Sequence, residues 1–186
     1  AMSGGNYSYT YNGDMNGDGI AELDLMYIPK DSEMGLKGSN APFRFNTQAD
    51  MDAYKAFAAQ DKYLSSHKGQ YAEAYSVPSP LHHQIDFRYA HDFVVRIGSV
   101  KNTLQLSVDI KNVANMLNTS WGYYNVGLRS ITGSYSNIRP LSMSSIDPDG
   151  VPVFKSMLPD NATTWELSKS YGSLWYMQVG VKYMFN

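Results

Sequence analysis

The chain has 186 residues, a formal net charge of −2 and no cysteine, so neither a disulfide framework nor a thiolate zinc site is open to it. Its 15 Lys and Arg residues are scattered without a basic run, which argues against nucleic acid as a partner, since such a surface works by replacing phosphate counterions. Mean hydropathy is −0.37 and no apolar run approaches the roughly 18 residues of a spanning helix; the 15 tyrosines and 15 glycines nonetheless suit transmembrane strands, whose alternation keeps average hydropathy low.

The chain opens at Ala1 with neither the basic stretch nor the apolar run of an export signal. The expectation is therefore a cytoplasmic protein or a piece of a longer one. Residues 1–12 alternate Tyr7, Tyr9 and Tyr11 with Ser8 and Thr10, as an exposed aromatic strand edge would, at the end of a strand begun upstream. The sharpest local motif follows. Asp14, Asn16 and Asp18 stand at loop positions one, three and five, Gly19 at six, Ile20 at seven to offer its carbonyl, and Glu22 at nine. That oxygen pattern suits a hard Ca²⁺ ion, the candidate cofactor. Position twelve is Leu25, and the nearest carboxylate, Asp24, falls one residue early. The same residues also read as an Asx-type turn, in which Asn and Asp bond their own backbone.

Leu23 to Ile28 reads as a short strand stopped by Pro29, and residues 31–46 as turns. Thr47 with Asp50 marks a helix start, and Met51, Tyr54, Phe57, Ala58 and Leu64 continue at helical spacing. One amphipathic helix over about 48–65 is predicted, its aromatic stripe serving packing. Residues 70–81 then form a loop.

From Gln84 the period changes to two. Ile85, Phe87, Tyr89, His91, Phe93, Val95 and Ile97 share one parity, while Asp86, Arg88, Asp92 and Arg96 share the other. A five-residue turn, Gly98 to Asn102, leads to Thr103–Lys111, where Leu104, Leu106, Val108 and Ile110 alternate with polar residues. The two strands form a hairpin. Asn112, Asn115 and Asn118 mark a rim, and residues 123–171 form a long connection without periodicity. The last strand, Leu174–Asn186, carries Trp175, Met177, Val179, Val181, Tyr183 and Phe185 on one wholly apolar face. Aromatics near both ends of that face match the interfacial girdles of a membrane strand, and its length suits a crossing of about 9–11 residues. An ordinary sandwich strand would show the same alternation. Long connections alternating with one short turn favour a barrel.

No nucleophile elbow, phosphate-cradling glycine loop or HExxH stretch is present, and the reading is of a protein that is not an enzyme. His82 and His83, as neighbours on a strand, point to opposite faces; His91 falls among apolar positions and reads as packing.

Taken together, several short motifs resemble the C-terminal end of the TonB-dependent outer-membrane receptors of Bacteroidetes, in particular the Oar-like (OmpA-related) group with a carboxypeptidase-regulatory-like domain. They are Asp14-Met-Asn16-Gly17-Asp18-Gly19, Asp24-Leu25-Met-Tyr27-Ile28-Pro29, Asp61-Lys-Tyr63-Leu64 with Lys68-Gly69, and Ile85-Asp86. Asp109-Ile110-Lys-Asn112 with Asn115, Trp121-Gly122 and the aromatic last strand complete the set. Leu23, Lys68, Leu81 and the terminal Asn186 depart from the family pattern.

The resemblance implies a bacterial outer-membrane location and energised uptake of a bulky ligand through a plugged 22-stranded barrel. Implied partners are outer-membrane lipid, the remainder of the barrel with its plug domain, the TonB complex acting through that missing part, and the outer-membrane assembly machinery. The expected fold is all-β with one short loop helix: antiparallel transmembrane strands forming part of a barrel. About four spanning strands are expected, with loops 13–81 and 113–172 outside, near the ligand. The rival reading is a soluble calcium-binding β-sandwich that serves as a binding module.

Overall fold

The computed structural model describes residues 2–3, 5–128, 137–168 and 170–185. The chain is mostly β with three short helices. Its principal elements in chain order are β1 (Asn6–Asn12), β2 (Met34–Leu36), β3 (Phe43–Phe45), α1 (Gln48–Gln60), α2 (Lys62–Ser66), β4 (Val77–Pro78), β5 (Phe87–Ile97) and β6 (Val100–Lys111). Then come α3 (Val113–Leu117), β7 (Asn137–Ile146), β8 (Pro152–Ser156) and β9 (Tyr176–Phe185). They fall into two compact units: Ala1–Met2, Leu81–Tyr124 and Leu167–Asn186 make one, Ser3–Pro80 and Asn125–Glu166 the other.

The second unit corrects the expectation of structureless loops. Six of its strands form one sheet of order β2-β3-β8-β7-β1-β4. The sheet is mixed, not antiparallel: β1 runs parallel to β7, and β3 parallel to β2 and β8. Strand β1 lies between two neighbours and is buried from Tyr7 to Tyr11, where an exposed edge at the end of a strand begun upstream was expected. Ser8 and Thr10 are small enough to pack against a second layer, so the aromatic-hydroxyl alternation looks half-solvated when both faces are covered. Strand β7 escaped the periodicity reading for a related reason. Ile138, Arg139, Pro140 and Leu141 are all buried, and between the pairs Ile138↔Tyr9 and Leu141↔Tyr11 one extra residue is inserted in β7. Pro140 sits in that bulge, where its missing N–H costs no ladder bond.

Thr47 caps α1 as predicted: its hydroxyl accepts from the Asp50 amide at 3.1 Å, and the Asp50 carboxylate accepts from the Thr47 amide at 3.0 Å. Met51, Tyr54, Phe57, Ala58 and Leu64 are all buried. The single helix expected over about 48–65 is nevertheless two, because Asp61 adopts an extended conformation between them. Its carboxylate accepts from the Leu64 amide at 2.8 Å, the Tyr9 hydroxyl at 2.7 Å and the Thr164 hydroxyl at 2.5 Å. Three donors outweigh continuation of the helix. Burial, and next the neighbouring Asp61, push the Tyr9 hydroxyl well above the usual phenol range, so it remains a donor.

The first unit contains an antiparallel three-stranded sheet of order β9-β6-β5. Its hairpin is tighter than predicted. Ile97 pairs with Val100, leaving a two-residue turn, Gly98-Ser99, in which Gly98 takes φ +63; a side chain is disfavoured there, and this turn matches the twist of the strands. No helix among the described residues is long and apolar enough to cross a membrane.

Buried charge in the mixed-sheet unit centres on Arg44, which bonds Asp147 at 2.8 Å and Asp149 at 2.5 Å. The Gly38 amide, and then Arg44, hold the Asp147 carboxyl below the usual carboxylate range; Arg44 does the same for Asp149. Depressed folded-state values stabilise the fold above the ordinary carboxylate pKa of about 4, and that contribution is lost as pH falls through the lower folded values. The melting temperature of the chain is therefore expected to fall as pH is lowered from about 5 to about 2, with a shallower slope in Asp147→Asn. Identical slopes measured by calorimetry for the two proteins would overturn this assignment.

Candidate functional site

The register of the three-stranded sheet assembles one face from three strands. Phe87, Ile110 and Met177 share the first row, Tyr89, Val108 and Val179 the second, and His91, Leu106 and Val181 the third. Phe93, Leu104 and Tyr183 form the fourth, and Val95, Asn102 and Phe185 the fifth. The parities read from the sequence as apolar on each strand thus coincide on a single surface. That surface is open: Val179, Val181 and Phe185 are 63%, 68% and 75% exposed. Rows two residues apart at about 3.4 Å per residue make it about 27 Å long along the strands, about the length of the roughly 9–11 residues with which a tilted strand crosses a bilayer.

Chemistry is graded along the face. Phe87 and Tyr89 lie toward one end, Phe93, Tyr183 and Phe185 toward the other, with Val108, Val179, Leu106 and Val181 between. The Tyr183 hydroxyl donates to Asn102 Oδ1 in the last row. His91 is the exception, in the middle row with its ring edge-on to Phe93 at 4.5 Å. Trp175 precedes β9, its amide donating to Asn115 Oδ1 at 3.3 Å. Asn186 lies outside the described residues. The opposite face carries the charges in cross-strand pairs: Arg88 with Asp109 at 3.3 Å, and Gln105 donating to Asp92 at 2.7 Å.

Two of the three rim asparagines, Asn112 and Asn115, do more than face solvent. Asn112 is buried and left-handed (φ 54), its amide donating to Asp86 Oδ1 and its side chain to the carbonyls of Gly122 and Ser173. Asn115 donates to the Trp121 carbonyl at 2.8 Å. These bonds fasten both ends of the connection to the start of β5.

In the Asp14–Asp24 loop the side-chain oxygens face the loop's own amides. Asp14 accepts from Gly17 at 2.7 Å and Gly19 at 2.9 Å, Asn16 from the Asp18 amide at 2.9 Å, and Asp18 from the Ile20 amide at 2.7 Å. Asp24 accepts from Met15 at 2.6 Å, and Glu22 is drawn away to the buried guanidinium of Arg139. The amides of Gly19 and then Gly17 hold the Asp14 carboxyl below its usual range. Among the described residues, no three His, Asp or Glu side chains are grouped to hold a metal ion. The self-bonded Asx-type turn is the geometry present.

Sequence reasoning passed over two cavities in the mixed-sheet unit. One of about 600 Å³ has Asp61 in its wall with Tyr63, His67, Val77 and Trp165; since Asp61 already accepts three hydrogen bonds, its role there is structural. The second is an aromatic pocket around Tyr27 and Phe43. Neither leaves a periodic signal, because each is built from short elements distant in sequence.

Comparison with protein-family models, curated proteins and solved structures finds no match to this chain.

In Asp14→Ala the Gly17 and Gly19 amides should exchange with solvent at least about tenfold faster, since each loses its acceptor. Calcium added to the unaltered protein should leave their NMR resonances in place. Movement of the Gly19 and Glu22 resonances at millimolar calcium would instead support the metal reading.

Proposed function

We propose that this chain is the C-terminal barrel portion of an outer-membrane TonB-dependent receptor, acting in energised uptake of a bulky ligand. The observation that carries the reading is the apolar face that continues across β5, β6 and β9, exposed, long enough along its strands for a tilted bilayer crossing and richest in aromatics toward its ends. An uncovered face of this size on a water-soluble monomer would be unusual. Strand order supports the same reading: within this sheet the strands lie side by side in the order in which the chain forms them and all pair antiparallel, β7 and β8 belonging to the other unit.

Three strands do not close a barrel, for which about eight are needed. Among the described residues neither β5 nor β9 has a second partner strand, and unpaired backbone in hydrocarbon costs several kcal/mol per group. The reading therefore requires further strands on both sides, with the plug domain and the TonB-contacting segment also supplied from outside this chain. Outer-membrane lipid and the assembly machinery are the remaining partners.

The soluble calcium-binding module keeps one observation in its favour. Ser3–Pro80 and Asn125–Glu166 make a compact unit with its own aromatic core, which a binding module needs and a mobile loop lacks. Fractionation of the source cell separates the two readings. A polypeptide much heavier than 20.8 kDa in the outer membrane supports the receptor; one of about that mass in the soluble fraction supports the module.

The face assignment has its own test. Lysine at the middle of a lipid face costs about 2–4 kcal/mol, so Val179→Lys should lower the folded, membrane-inserted fraction at least about tenfold relative to Gln178→Lys. Equal insertion of the two variants would refute it.

A further inference from the structure

The aromatic pocket of the mixed-sheet unit has a chemistry of its own. It encloses about 220 Å³ between Tyr27, Glu33, Pro42, Phe43 and Tyr71. Tyr27 meets Tyr71 at a ring-centroid distance of 5.2 Å and an angle of 63°, and Phe43 at 6.4 Å and 34°, so the rings bound the space as differently inclined walls. Phe43 is buried and held by a flat stack on Phe154 at 4.6 Å, while Tyr71 is 68% exposed and forms the open flank.

One carboxylate completes the pocket. Glu33 Oε2 accepts from the Tyr27 hydroxyl at 3.0 Å and from the Lys30 amide at 2.8 Å, which fixes the group against the aromatic wall. Among the described residues its Oε1 makes no hydrogen bond and the carboxylate has no ion-pair partner; the ammonium of neighbouring Lys68 is taken by Asp31 at 2.9 Å. The pocket is thus lined by three aromatic rings and one carboxylate without an ion-pair partner among the described residues.

We propose that Tyr27, Phe43, Tyr71 and Glu33 form a cage for a quaternary ammonium group, such as the trimethylammonium of a choline-type molecule. Ring faces attract a cation through their quadrupoles, and the attraction grows when the cation sheds water easily. A primary ammonium or a guanidinium would need several acceptors for its N–H groups on entering. This pocket offers one carboxylate and the hydroxyls of Tyr27 and Tyr71, the first already donating to that carboxylate, whereas a trimethylammonium group has no N–H to satisfy. An adjoining groove of about 400 Å³ shares Tyr27, Pro42, Phe43 and Tyr71 and runs on to Asn16 and Asp24, leaving room for the polar remainder of the ligand. The cage belongs to the mixed-sheet unit alone and does not depend on the membrane reading.

Calorimetric titration of the full chain, in plain buffer or in a maltoside detergent free of choline groups, tests the cage. Choline should bind at least about tenfold more tightly than its neutral isostere, in which a tert-butyl group replaces the trimethylammonium. Tyr71→Ala and Glu33→Gln should each weaken choline binding about tenfold, and Tyr71→Phe, which keeps the ring, by no more than about twofold. Tyr71 is exposed, so its variants should keep the parent circular dichroism spectrum and melting temperature. Equal affinity for choline and the isostere, unchanged binding by Tyr71→Ala, or no saturable binding of choline would each overturn the proposal. Vesicles of phosphatidylcholine and of phosphatidylglycerol identify the source: selective binding to the former assigns a lipid headgroup, and binding of free choline alone assigns a soluble ligand.

Discussion

Cross-strand register is the constraint on which the strand face depends. Because side chains alternate with a period of two, a slip of one residue between β5 and β6, or between β6 and β9, would put one strand's apolar set among the others' charges. Two features hold the register. The two-residue turn at Gly98-Ser99 fixes β5 against β6, since a turn this short admits one pairing of its flanks. The bonds from Asn112 to the carbonyls of Gly122 and Ser173, with that from the Trp175 amide to Asn115 Oδ1, fix the point from which β9 departs. Polar residues at the strand ends thereby determine where the hydrocarbon lies.

The mixed-sheet unit rests on a different logic. Its core is strongly aromatic, with Tyr11 and Phe43 stacked on Phe154, and Tyr9 between Phe57 and Tyr63. Tyrosine in such a core needs a partner for its hydroxyl, and Asp61 supplies one to Tyr9. The same carboxylate ends α1, caps α2 and holds Thr164, so one buried acid joins the first strand, the helices and the return segment. Arg44 does comparable work at the other end of the sheet, where Asp147 and Asp149 approach from a part of the chain a hundred residues away in sequence.

Legibility in the sequence followed solvent exposure. The strands β5, β6 and β9 alternate cleanly because each has one apolar and one polar face, and their parities could be read before any pairing was known. The Thr47–Asp50 cap and the apolar stripe of α1 were legible for the same reason. What stayed hidden was buried on both sides or built by long-range contact. Ser8 and Thr10 imitate a solvated face, Arg139 and Pro140 interrupt what would otherwise read as a core strand, and nothing near Asp61 in sequence announces the Tyr9 hydroxyl. The Asp14–Asp24 stretch is a different case. Its residue types were read correctly, but an oxygen pattern fixes neither what the oxygens face nor whether Glu22 is captured by Arg139.

The folded unit also changes what the long connection between β6 and β9 implies. A structureless segment of that length sets a closure entropy that grows only slowly with length, so length alone is tolerable; its greater liability is the unpaired backbone it would carry. Here part of that backbone, Asn137–Ser156, is spent within a sheet and its turn. Strands β7 and β8 pair with each other, and through β1 and β3 with the N-terminal residues. A connection that satisfies its own polar groups imposes no requirement on the surroundings of the strands it joins. The three-stranded sheet, with open edges and an open apolar face, imposes a severe one. Whatever covers that sheet must therefore be selected by the sheet, and any ligand chemistry resident in the mixed-sheet unit can vary without disturbing it.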